Sequence, residues 1–243
     1  MARTGKRLIL TMVLLLLFSN VGLAASISGM KTWQVPIVGV FRAPQEFMAS
    51  EFAELKKAID SQKDKLDTQS VPIPEAKERL DPNRVDYTAY QMTMNDGQAY
   101  HLAWLLVMRD RMPLDPQTII YFEKPLTIEQ RAAVIMAEDT LRQTLDKMQY
   151  TDPQSGAGIR LLELDSFEFG QIGGKRGYAA GARFLINYKD FVFPIYTKCW
   201  LFNAGGYGAA ALLITTDSER AFWTPVMNSV LATYQTLDSL KKK

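Results

Sequence analysis

Residues 175–215 read KRGYAAGARFLINYKDFVFPIYTKCWLFNAGGYGAAALLIT. Three runs rich in aromatic and β-branched residues, Lys175–Tyr188, Phe191–Phe202 and Tyr207–Thr215, are separated by short turn-forming pieces, the last being Asn203–Gly206. Runs of this composition divided by such turns read as consecutive antiparallel strands. In the first run, Tyr178, Ala180, Ala182, Phe184, Ile186 and Tyr188 share one face, and Arg183 and Asn187 lie on the other. Pro194 marks an edge or a bulge, because proline cannot donate to a ladder. A strand over Leu161–Gly170 precedes the three. A closing helix follows them, to about Leu237. Thr224-Pro225 suits an N-cap followed by proline in the first helical position, with Phe222, Val226, Val230, Tyr234 and Leu237 facing the sheet.

Upstream, Thr127–Met148 is the clearest helix. Thr127 and Gln130 form a capping-box pattern, and Val134, Ala137, Leu141, Leu145 and Met148 recur every three or four residues. Val85–Met94 alternates, Asn95-Asp96-Gly97 supplies a hairpin turn, and Ala99–Met108 returns as a strand that is apolar on both faces. Ile119–Phe122 reads as a short strand. Thr32–Phe41 reads as a strand in which Pro36 marks an edge or a start. Met48, Phe52, Leu55, Ile59 and Leu66 fall on one face of an expected helix, and the prolines of Val71–Pro82 make that segment a connection. Thr151–Gly158 is a turn-rich break. Strands followed or covered by helices place the chain in the α+β class, an antiparallel sheet covered by helices.

The first 25 residues carry an address. Arg3, Lys6 and Arg7 precede an apolar run from Leu8 to Phe18, and Gly22-Leu23-Ala24-Ala25 supplies the small residues a signal peptidase cuts between, with the cut expected after Ala24. The apolar run is too short to span a hydrocarbon layer of ~30 Å as an ordinary anchor. The alternative is an uncleaved, retained segment. It has no Cys, which excludes lipoprotein processing. The expected destination is outside the cytoplasm: a periplasm, a cell wall or the medium. Residues 25–243 then form one domain with no repeat and no long linker.

The chain holds 28 Lys+Arg and 26 Asp+Glu, a net charge of +2. Removing Arg3, Lys6 and Arg7 with the signal leaves a net charge of −1. Nucleic-acid binding needs a basic face, so this balance gives no reason to expect it. The basic tail Lys241–Lys243 reads as a solvated end and leaves open a weak contact with an anionic membrane surface.

No motif announces a reaction. There is no nucleophile elbow and no zinc-binding His-Glu-x-x-His, P-loop or dinucleotide fingerprint, so neither a cofactor nor a metal is expected. The single Cys199 and single His101 permit one dyad on paper, although Cys199 reads as a buried hydrophobe and His101 as a structural strand residue. Asp110 and Asp115 read as loop carboxylates around Pro113. Gly173-Gly174-Lys175-Arg176-Gly177 superficially looks like a phosphate loop but sits where a hairpin turn is needed. Tyr196, Trp200 and Phe202 share one strand face and Phe191 and Phe193 the other. They read as core, the alternative being the wall of an apolar cavity.

The layout from Asp165 to Leu237 resembles the PsbP-like fold superfamily, which also includes the Mog proteins. Ser166-Phe167-Glu168-Phe169 leads through Gly173-Gly174 to Gly177-Tyr178. Two long strands follow, then Tyr207–Thr215, then a helix around Asn228-Ser229-Val230-Leu231. The helix Thr127–Met148 before this run fits as well, so the likeness is strongest over residues 127–237. A cystatin-like or NTF-like curved sheet is the competing architecture. The resemblance implies an α-β-α sandwich with a central, mainly antiparallel sheet. It also implies an exported accessory, partner-binding or lipid-carrying role, and no shared catalytic residues. Three functions follow as expectations: a non-enzymatic binding or accessory protein of the cell envelope, with a protein partner; a carrier of an apolar or lipid-like molecule; and a hydrolase built from scattered carboxylates or from Cys199 and His101.

Overall fold

The computed structural model describes residues 29–54, 56–57, 84–147, 150–151, 158–188 and 191–237. The cleavage residues Ala24 and Ala25, the helix positions Leu55, Ile59, Leu66 and Met148, the segment Val71–Pro82, residues 152–157 of the turn-rich break and the tail Lys241–Lys243 lie outside them.

Strands β1 (Met30–Val35) and β2 (Gly39–Pro44) form a separate hairpin. The Thr32–Phe41 run expected as one strand is therefore folded back at its proline: the Val38 N–H donates to the Val35 carbonyl at 3.0 Å. The main sheet contains β3 (Met48–Glu51), β4 (Val85–Asn95), β5 (Tyr100–Pro113), β6 (Tyr150–Thr151) and β7 (Gly158–Leu164). It continues with β8 (Glu168–Ile172), β9 (Lys175–Tyr188), β10 (Phe191–Asn203) and β11 (Tyr207–Thr216). Among the described residues the order is β3-β4-β5-β11-β10-β9-β7-β6, with β8 also paired to β9, and every pair is antiparallel. The helices bounded among the described residues are α1 (Pro116–Glu123), α2 (Ile128–Lys147) and α3 (Arg220–Ala232). The chain is α+β with a mostly antiparallel sheet.

Several expectations meet their counterpart directly. Thr127 and Gln130 form the reciprocal capping box: the Thr127 N–H donates to Gln130 Oε1 at 3.0 Å, and the Gln130 N–H to Thr127 Oγ1 at 3.3 Å. Gly97 takes a left-handed φ of 87° in the β4–β5 turn, where Asp96 Oδ1 accepts from the Gln98 and Ala99 amides, both at 2.8 Å. Gly173 and Gly174, at φ 59° and 78°, form the two-residue β8–β9 turn. A Cβ on Gly173 would stand 2.6 Å from the Tyr234 carbonyl oxygen, so the turn is packed against the chain just past α3, as a hairpin turn rather than a loop opening a helix.

Others are corrected. Met48 opens the edge strand β3 rather than a helix, because pairing with β4 satisfies the backbone of Met48–Glu51; helical geometry begins at residue 53. Ile119–Phe122 belongs to α1. Asp115 caps that helix by accepting the Thr118 N–H at 2.9 Å, and Pro116 opens its first turn, where no donor is needed. The Thr224-Pro225 pair does not cap α3, which begins at Arg220 after a short 3₁₀ turn, Asp217–Glu219. Pro225 removes one helical hydrogen bond, while its neighbours Trp223, Val226, Met227, Val230 and Leu231 are all buried. Tyr234 joins them in the core, whereas Phe222 and Leu237 stay half-buried. The strand expected over Leu161–Gly170 is interrupted at residues 165–167, where the Asp165 N–H turns aside to the Gly181 carbonyl at 2.8 Å. Two strands, β7 and β8, result, and both pair with β9.

The main core lies between α3 and one face of the sheet. Trp223 and Met227 from the helix meet Met92, Leu105, Leu213, Trp200 and Phe202 from β4, β5, β11 and β10, and the β1–β2 hairpin closes it with Val35, Phe41 and nearby Phe47. The alternation of β5 is visible in its burial. His101, Ala103, Leu105 and Val107 point into this core, while Leu102, Trp104 and Leu106 on the other face stay partly exposed. No helix among the described residues is long and apolar enough to cross a membrane.

Candidate functional site

The residues flagged from the sequence for chemistry do not converge. Cys199 and Trp200 are neighbours on β10, and Trp200 points into the α3 core, so Cys199 points to the opposite face. His101 points to the α3 side, where its ring stacks on Phe222 at 3.4 Å between centroids. The Cys199–His101 dyad is thereby removed. Burial pushes the thiol from 9.0 up to about 11, the reverse of what a nucleophile needs. Cys199 is thus expected to resist alkylation in the native protein at around pH 8.5, where an ordinary thiol is half ionised. It should label rapidly once urea unfolds the chain; equal native and unfolded labelling rates would contradict this burial. Asp115 is the α1 cap. Its carboxylate is held below the usual range, first by the Thr118 hydroxyl and then by the Thr118 N–H. Asp110 accepts the Met112 N–H at 2.8 Å and faces Arg84 at 4.0 Å. Trp200 and Phe202 are core, as read, while Phe191 and Phe193 stack on each other at 5.9 Å and are exposed.

His101 has a setting the sequence did not show. Its Nδ1 lies 2.8 Å from Glu219 Oε2 in the turn before α3, a hydrogen bond, while its Nε2 lies 3.3 Å from Asp96 Oδ2 of the β4–β5 turn without one. Asp96 is itself held below the normal carboxylate range, chiefly by the Ala99 and Gln98 amides. The Glu219 bond ties the start of β5 to the turn before α3.

The surface features converge on β8. On its α3 side, Lys198 from β10 is 2% exposed and donates to Glu168 Oε2 at 2.6 Å, with its ammonium 5.8 Å from the centre of the Trp200 ring. Next to it, the Tyr196 hydroxyl donates to Asp165 Oδ2 at 3.0 Å, and burial first, then the Asp165 charge, raises its pKa. Gly181 leaves room for that bond, since a Cβ there would overlap both Asp165 and Tyr196. Arg183 clamps Asp217 with two bonds of 2.9 and 2.6 Å and reaches Glu163 at 3.0 Å; these acceptors, Asp217 first, push its pKa up. A polar cleft of about 740 Å³ runs among Asp165, Glu168, Tyr196, Lys198, Arg220 and Thr224. A smaller one of about 310 Å³ lies beside Gly170, between Trp200, Asn228 and Leu231.

On the other side of β8, Phe169 meets the Tyr178 ring edge-on at 5.5 Å, and Tyr178 in turn meets Phe122 of α1 at 5.6 Å. The Tyr178 hydroxyl and Arg176 bond to carbonyls at the end of α1, the Tyr121 oxygen at 2.7 and 2.9 Å and, from Arg176, the Lys124 oxygen at 2.6 Å. An apolar cleft of about 440 Å³ opens between α2 and this patch, lined by Leu126, Val134, Ile135, Phe167 and Phe169 with Arg131 and Arg176 at its polar margin. A fourth cleft of about 730 Å³ continues it past Gln171 and Lys175. Residues of β8 line all four, the polar cleft of 740 Å³ through Glu168 and the apolar one through Phe169. The Ser166–Phe169 run was singled out only for its place in a layout. Gly170 lines two of these clefts, and their walls come together through pairings far apart in the chain, which leave no local signal. No family model matches the chain, and neither does any curated protein.

Proposed function

We propose that the chain is an extracytoplasmic, non-enzymatic binding or accessory module that holds its partner protein on the surface around β8. The observation that carries this reading is the convergence of four clefts on one exposed edge strand, with Phe169, 54% exposed, lining three of them. Exposed apolar side chains grouped in this way mark interaction sites. Ile135, 61% exposed on neighbouring α2, lines the apolar cleft and extends the patch. The separation of Cys199 from His101 and the structural duties of Asp110 and Asp115 support a role without turnover. The basic-apolar-small order ending at Ala24-Ala25 supports export.

The same reading includes an α-β-α sandwich of the PsbP-like type. It is supported by α3 on one sheet face and by the contact of α1 with Tyr178, whose side chain points opposite to that of core residue Ala179. A photo-crosslinking residue at position 169, incorporated in the exporting cell, is expected to capture a discrete protein, and the same residue at exposed Met48 is not. Equal capture at both positions would sink the proposal.

The carrier reading rests on one observation, the apolar cleft between α2 and Phe167–Phe169. It is opposed by the filling of the space between sheet and α3 with Trp223, Phe202 and Met227. Native mass spectrometry of the exported protein separates the two. A bound small-molecule mass that is lost on denaturation supports the carrier, and a clean protein mass supports the accessory role.

A further inference from the structure

The two-residue turn at Gly173-Gly174 sets the register of β8. Ile172 and Lys175 flank the turn and exchange both ladder bonds, so Gly170↔Gly177 and Glu168↔Ala179 do the same. The intervening residues, Phe169 and Gln171, turn their N–H and C=O groups away from β9. Phe167 follows the same parity, and its outward N–H is taken by Glu138 of α2 at 3.1 Å. Among the described residues nothing takes those of Phe169 and Gln171, and β8 pairs only with β9. A row of open donors and acceptors on an edge is a template for another strand, one that proteins usually cover or interrupt.

We infer that this edge accepts an extended peptide of the partner as an added strand, with alternate side chains dropping into the clefts on either side of β8. Resting on the binding-module reading, this inference names the form of the partner. Strand addition draws affinity from main-chain hydrogen bonds and selectivity from pockets that take alternate side chains. Both parts are present. Phe169 and Gln171 offer two donors and two acceptors. On the α1–α2 side the added strand meets Phe169, Leu126, Val134 and Ile135. On the α3 side Gly170 carries no side chain, and a Cβ placed there would meet nothing within 4 Å, which leaves the 310 Å³ cleft open to a side chain of the incoming strand.

Charge fixes the chemistry further. The two clefts on the α1–α2 side are lined by Lys124, Arg131, Lys175 and Arg176 against Glu123 and Glu138. An incoming strand with apolar residues and an aspartate or glutamate on that side is complementary; a basic one is not.

Linear peptides displayed on phage and selected against the full chain provide the probe. The expected winners alternate apolar residues and carry an acidic residue, and their binding weakens as salt rises. Gln171→Pro removes the outward N–H and puts a ring on the edge without touching a β8–β9 bond, so affinity should fall about tenfold or more at unchanged melting temperature. Gly170→Leu fills the α3-side cleft and should give a similar loss. It carries the test alone if the proline variant does not fold. Selected peptides that bind both variants as well as the parent, or a library that yields no binder, would overturn strand addition. A parent protein that dimerises, and becomes monomeric on Gln171→Pro, would overturn it in favour of a second copy of the chain. Crosslinks from position 169 that survive Gln171→Pro would overturn the added strand and leave the binding module standing. Loss of all crosslinks in the parent would overturn both.

Discussion

Trp223→Ala is expected to remove about 3–5 kcal/mol of folding stability, the usual cost of deleting a large buried aromatic. Trp223 is fully buried in the first turn of α3, edge-on to Phe47 at 6.4 Å and to Phe222 at 5.3 Å. It is the side chain through which the helix, the sheet and the residues following the β1–β2 hairpin share one core. Against a total of roughly 5–15 kcal/mol for a domain, its loss takes about a fifth or more of the stability. Trp223→Phe should behave differently. The indole N–H has no hydrogen-bond partner among the described residues, so the smaller ring gives up volume but also relieves a buried donor. Urea unfolding followed by far-UV circular dichroism measures both variants. An alanine variant within about 1 kcal/mol of the parent would show that the core does not depend on this side chain.

The parts of this fold legible in the sequence are those specified by local rules. Strict alternation in Lys175–Tyr188 is imposed by a pleat, and the observed β9 has those same bounds. Thr127 and Gln130 satisfy each other's amides, so the start of α2 is written within four residues. Where local rules competed, tertiary pairing decided. The spacing of Met48, Phe52 and Leu55 suits a helix, yet Met48–Glu51 lies against the free edge of β4, and backbone pairing there outweighs the pattern. Asp115-Pro116 and Thr224-Pro225 carry the same capping signature. Only the first caps, because the burial of Trp223 and its neighbours extends α3 upstream through the second. The site was less legible for a related reason. Gly170 is informative through what is missing around it, and the partners Glu168 and Lys198 lie on different strands that meet only once β9 has paired with both.

The Lys198–Glu168 pair therefore makes a sharp prediction, because its two members are buried unequally. The Lys198 side chain is 3% exposed and that of Glu168 55%. Removing the carboxylate strands an ammonium that water hardly reaches, whereas removing the ammonium leaves a carboxylate that water solvates well. Fully buried pairs cost roughly 3–5 kcal/mol to break from one side and exposed pairs about 0–1. Glu168→Met, which keeps the bulk and offers no comparable acceptor, is expected to cost about 2 kcal/mol, between those limits. Lys198→Met should cost less than half as much, and the double variant should recover most of the loss, since no charge is then buried unpaired. Equal costs for the two single variants, or a double variant as unstable as the sum, would show that the pair is held in water rather than in the protein. The outcome also bears on β8. Glu168 begins that strand, and its tie to Lys198 anchors it from the α3 side, while Glu138 takes the Phe167 N–H just before it. With its start fixed from both directions, the strand presents Phe169 and Gln171 in a set register, and a rigid edge loses less conformational entropy when another strand pairs with it.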